Sequence, residues 1–86
     1  MTYSVFVKRS AEKEIRNLPP RIREAVSREL LDLEREPRPP GRFRVLRSPL
    51  EGYRLRIGDW RILYTIDDTT RRVTVYAVSH RWEAYR

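Results

Sequence analysis

The sequence predicts an α+β fold, with a small antiparallel-dominated sheet made from one strand, two helices and a three-strand meander. Both N-terminal helices would pack on one face of that sheet. Three observations lead to this. A short β-prone run, Tyr3-Ser-Val-Phe-Val7, opens the chain; two segments with helical apolar spacing follow it; and Gly58-Asp59 then joins two runs in which apolar residues alternate with arginine.

Taken in order, Tyr3 to Val7 reads as the first strand. Ser10 is placed to cap a following helix, with Glu12 and Glu14 near its positive end and Ala11, Ile15 and Leu18 on one face. Leu18-Pro19-Pro20 ends it, because a residue before proline avoids helical geometry, and Pro20 suits the first turn of a second helix. Ile22, Val26, Leu30 and Leu33, with Ala25 beside them, form that helix's apolar stripe, and Leu31 falls opposite it. The segment from Glu36 to Gly41 is a proline-rich stiff loop. Arg42 to Arg47 reads as a strand and Ser48 to Gly52 as a turn. The hairpin follows at about 53–57 and 60–66, then a polar turn from Asp67 to Thr70, then the last strand from Arg72 to His80. The remaining tail, from Arg81 to Arg86, is too short for a stable helix.

The two-residue turn fixes the hairpin register. Ile57 faces Trp60, Arg56 faces Arg61, Leu55 faces Ile62, Arg54 faces Leu63 and Tyr53 faces Tyr64. Arg54, Arg56 and Arg61 thus emerge on one face, with two like charges directly opposed. Such a pair destabilises a hairpin unless something compensates, and an anion such as phosphate is the natural candidate. Tyr53, Trp60 and Tyr64 lie on the other face and read as packing residues. In the last strand, simple alternation puts Val73, Val75 and Ala77 on one face and Tyr76, Val78 and His80 on the other, with His80 on the face of Arg61.

Composition narrows the function classes. The 86 residues fit one domain, spanning 1–86, of 40% hydrophobic and 36% charged residues, which suits a folded rather than a disordered chain. The formal net charge is +7, and of 19 cations only Lys8 and Lys13 are lysine. Arginine favours bidentate phosphate contacts and base stacking, which makes nucleic acid the first partner class and an acidic protein the second. With no cysteine, disulfides, thiolate zinc sites and a cysteine nucleophile are excluded, and a reducing cytoplasm is expected. The apolar N-terminal run is too short for a signal peptide, and no segment has the length of a membrane span.

The pattern from Gly52 to Tyr64, GYRLRIGDWRILY, followed by VSHRWEAYR at the C-terminus, resembles the RelE/ParE superfamily of type II toxins over nearly the whole chain. The leading strand, the two helices and the break after them match as well. The resemblance implies a RelE-like mRNA interferase that cuts mRNA in the ribosomal A site. The ribose 2′-hydroxyl would attack the scissile phosphate without metal or cofactor, and a RelB-like antitoxin would neutralise the toxin. On that resemblance, Arg54 and Arg56 stand where founding members carry lysines, and Arg61 matches a phosphate-binding arginine. Arg81 matches the arginine that stabilises the leaving group, and Tyr85 a tyrosine that stacks on a base or transfers a proton. Arg47 and His80 join the expected RNA-binding set. Arginine does not give up its proton, so a lysine-type general base does not carry over, and Tyr85 and His80 remain the candidates for proton transfer. Two alternatives stay open: a ParE-like inhibitor of DNA gyrase, and a non-catalytic RNA-binding relative.

Overall fold

The computed structural model describes residues 2–80. Its elements are β1 (Ser4–Val7), α1 (Arg9–Arg16), α2 (Pro20–Arg35), β2 (Phe43–Val45), β3 (Tyr53–Ile57), β4 (Trp60–Asp67) and β5 (Arg72–His80). They form one five-stranded sheet in the order β1-β5-β4-β3-β2, with β1 parallel to β5 and the other pairs antiparallel. The α+β architecture is as expected: β3, β4 and β5 form the three-strand meander, and β2, within the run from Arg42 to Arg47 read as a strand, adds a fourth antiparallel strand at its edge. No helix among the described residues is long and apolar enough to cross a membrane.

Both helices lie over one sheet face. Ala11 and Leu18 from the first helical segment, and Val26 and Leu33 from α2, are buried against Leu55, Ile62, Tyr64, Val73, Val75 and Val78. Each of these sheet residues alternates with an outward-facing neighbour, as the pleat requires, so burial of the apolar set separates a helix-covered face from an outer one. Tyr53, Ile57 and Trp60 pack against this core from its margin. Leu31 is exposed, as its place opposite the stripe implies.

Local chemistry accounts for the element ends. Lys8, rather than Ser10, is the N-cap of α1, and Ser10 lies inside the helix. Lys8 is already committed at both ends: its amide donates to the Val75 carbonyl (2.9 Å) and its own carbonyl accepts from Glu12 (2.8 Å). The strand therefore passes directly into the helix and leaves the serine no cap position. Pro20 opens α2, where its missing N–H costs nothing. β2 is shorter than the run from Arg42 to Arg47. One more backbone bond follows it, from Leu46 to Gly52 (2.9 Å), and Arg47 already belongs to a turn closed by the Leu50 amide (3.0 Å).

The proline-rich loop is tied down by polar contacts. The buried Tyr64 hydroxyl donates to the Pro37 carbonyl (2.8 Å), and burial pushes this phenol up to about 12. Arg38 forms a fork on Asp68 (3.2 and 2.8 Å), which also accepts from the Tyr3 hydroxyl (2.6 Å). The hydrogen bonds from Arg38, and then that from Tyr3, hold the Asp68 carboxyl down at about 2.

A β-bulge interrupts the β4–β5 pairing. Leu63 faces Ala77, whereas Tyr64 faces Val75, which leaves Tyr76 as the extra residue. The bulge reverses the face assignment beyond it. Val73 and Val75 lie on the helix-covered face, but so do Val78 and His80, while Ala77 and Ser79 face outward.

Candidate nucleic-acid interface

The hairpin has the expected register at all five positions, including Arg56 opposite Arg61 and Arg54 opposite Leu63. Gly58 has φ +59 and Asp59 does not share that region, the arrangement of a II′ turn with glycine first. The turn also answers the like-charge problem. Its Gly58 carbonyl accepts from Arg56 Nε (2.9 Å) and from Arg61 Nη1 (3.3 Å), so one oxygen draws both guanidinium groups toward the turn.

The two arginines differ in setting. Arg56 is exposed, whereas Arg61 retains only 7% exposure and gives a second Nη1 bond to the Trp60 carbonyl (3.2 Å). Its buried Nε has no hydrogen-bond partner among the described residues. A buried guanidinium group is desolvated, which strengthens its electrostatic pull on an anion brought to its remaining exposed edge.

The cationic face is wider than the hairpin. Arg44 on β2 faces Arg54 on β3, a second opposed arginine pair. Gly41, Arg42, Arg44, Arg54, Arg56 and Gly58 line an open depression of about 360 Å³. Arg44 and Arg54 also border a neighbouring one of about 440 Å³, together with Arg47 and Leu50. Arg42 is partly engaged by an ion pair with Glu29 of α2. Arg42 and Arg44 were not among the expected site residues. The alternation of arginine in Arg42-Phe-Arg-Val-Leu-Arg47 was the signal that could have found them.

Of the expected site residues, Arg54, Arg56 and Arg61 share the outer face, and Arg47 borders the same surface from its turn. His80 does not join them. It faces Trp60 on the helix-covered side, with the two rings edge to face at 5.3 Å, because the bulge at Tyr76 shifts the alternation by one residue. Arg81 and Tyr85 lie outside the described residues. Tyr53, Trp60 and Tyr64 are packing residues, as expected, with Tyr53 stacked on Tyr64 at 5.7 Å.

A family model described as the ParE toxin of the type II toxin-antitoxin system parDE matches residues 5–85. The chain is 40% identical over 88 residues to Toxin RelG of Mycobacterium tuberculosis, a match covering 100% of this chain and 99% of that protein. Its fold is similar to the RelBE2 toxin-antitoxin complex of M. tuberculosis, with TM-score 0.81, 37% identity, and 94% and 100% of the two chains covered. It is also similar to a mutant E. coli toxin RelE in the free state, with TM-score 0.78, 26% identity, and 99% and 88% covered. A family match across residues 5–85 and a 40% identical toxin of the same length place the chain in the RelE/ParE superfamily, as the toxin of a type II toxin-antitoxin system.

Proposed function

We propose that this toxin is a ribosome-dependent endoribonuclease that cuts mRNA in the A site. The observation that carries the proposal is the Arg56–Arg61 pair, two opposed guanidinium groups drawn together by the Gly58 carbonyl on the face that also carries Arg54. The 2′-hydroxyl next to the scissile phosphate attacks it in line, leaving a 2′,3′-cyclic phosphate and a free 5′-hydroxyl. Arg54, Arg56 and Arg61 bind the phosphate and neutralise the charge that develops on it. Arg81 stabilises the leaving oxygen, and Tyr85 stacks on a base or moves a proton. No metal takes part. The arginines hold their protons throughout, which leaves the general base to another group.

An antitoxin of the RelB type is the proposed protein partner, supported by the likeness to toxin chains solved in RelB–RelE complexes. The cytoplasm, where ribosomes and mRNA meet, is the proposed location. A ParE-like action on DNA gyrase is the second reading, favoured by the description of the matching family model. Mapping mRNA ends on programmed ribosomes, alongside a gyrase supercoiling assay, separates the two. Cleavage within the A-site codon with gyrase unaffected supports the nuclease. Intact mRNA with trapped gyrase–DNA breaks supports the other.

A further inference from the structure

The outer sheet face has a second half that the arginine site does not use. The segment from Arg47 to Glu51 crosses this face as a ridge. Two contacts hold it: the Tyr76 hydroxyl donates to the Glu51 carbonyl (2.7 Å), and Gly52 packs its backbone against Tyr64 and Thr65. The bulge therefore does more than reverse the alternation, since it is the bulged residue that anchors the ridge. Leu50 borders the arginine-lined depression on one side of the ridge and a separate depression of about 260 Å³ on the other. The second depression is walled by Pro49, Leu50 and Glu51, and lined below by Lys8, Tyr76 and the opposed pair Thr65 and Thr74. Apart from Tyr76, which is spent on the ridge, its donors have no side-chain partner among the described residues.

We propose that this depression is a base-reading subsite for a nucleotide flanking the phosphate held by the arginines, an inference that rests on the endoribonuclease reading. Three features fit a nucleobase. The volume suits a single planar ring system, with the aliphatic wall of Pro49 and Leu50 to lie against. The two threonine hydroxyls can each donate or accept, so they can read the edge of a base. Lys8 supplies a cation for the adjoining phosphate without specifying sequence. Position fits as well: Thr65 lies four residues beyond Arg61 on the same strand and face, about 13 Å away, within reach of neighbouring nucleotides on an extended strand. Sequence is read in such single strands at the edges of unstacked bases.

The test uses the full chain alone with short fluorescent single-stranded RNAs that differ in one base, with affinity read by anisotropy across a salt series. Without ribosomes these RNAs stay intact, so binding is read apart from cleavage. The wild type should prefer one base at one position by about tenfold. Thr65→Val and Thr74→Val should reduce that preference to about twofold or less with the salt slope unchanged, while Thr74→Ser should retain it. Arg56→Ala should keep the preference and lower the slope by about 0.7, the loss of one phosphate contact. No base preference in the wild type, or an undiminished one in the valine variants, overturns the proposal. So does weakened capture of an antitoxin peptide by these variants with RNA preference untouched, since the depression would then hold a protein side chain. A base preference with no cleavage on ribosomes retains the subsite and rejects the nuclease. Cleavage without a base preference does the reverse.

Discussion

Gly52 carries a demand that no other residue type meets. Its φ is +91, and a Cβ there would collide with the Tyr64 carbonyl oxygen. Gly41 and Gly58 also have positive φ, but a Cβ at either meets open space. Gly52→Ala is therefore expected to cost about 3 kcal/mol in urea denaturation, and Gly41→Ala only about 1 kcal/mol. Asp68 sets a pH dependence. Its carboxyl falls from an ordinary 3.8 to about 2 on folding, so the folded state favours the carboxylate. That contribution is complete above about pH 4 and disappears as the pH falls through about 2. Thermal melts should accordingly show the wild type exceeding Asp68→Asn at neutral pH, with the gap closing between those values. At this scale the arginine pairing was legible because a two-residue turn leaves no freedom in register. The oxygen that draws Arg56 and Arg61 together was not, since it belongs to the backbone of the turn itself.

Among the elements, β5 shows where pattern reading stops. Alternation assigns every residue of a strand once one is fixed, and a single bulge reverses everything beyond it. Val73-Thr-Val-Tyr-Ala-Val-Ser-His80 contains no glycine or proline to mark the break, so His80 was placed on the wrong face. The signal lay in the partner strand: Ile62 and Tyr64 both need buried partners, and only a shift between Val75 and Val78 supplies them. β1 ends its pairing at Val75, and further along that edge of β5 the Val78 amide donates instead to Glu14 of α1 (2.9 Å). Glu14→Ala strands this partly buried N–H and is expected to destabilise the protein by about 2 kcal/mol, whereas Glu14→Gln, which keeps an acceptor, should lose less than half of that. Chemical denaturation of both variants distinguishes a cap from a general charge effect. The helices, by contrast, were legible nearly to their ends, because Leu18-Pro19-Pro20 punctuates them and the apolar spacing has one period. The cap at Ser10 failed because local preference gave way to a strand that runs straight into the helix.

The whole molecule divides its labour between two sheet faces. One carries the helices and the core; the other carries arginines from β2, β3 and β4, crossed by the ridge that Tyr76 and Gly52 hold in place. This separation follows from the period of two in the strands, and the α+β class and arginine face could be read from sequence for that reason. The breadth of the cationic surface was signalled only by the arginine alternation from Arg42 to Arg47, and it is the pairing of β2 with β3 that sets Arg44 opposite Arg54, with Arg42 just before the strand. The central claim is that the buried, turn-held Arg61 stabilises the phosphate of mRNA as it is cut. Single-turnover cleavage on programmed ribosomes tests this most directly. The wild type should cut within the A-site codon and leave a 2′,3′-cyclic phosphate, and Arg61→Ala should bind the ribosome but cut about 100- to 1,000-fold more slowly. An uncut message with the wild type, or Arg61→Ala cutting at the wild-type rate, contradicts the account.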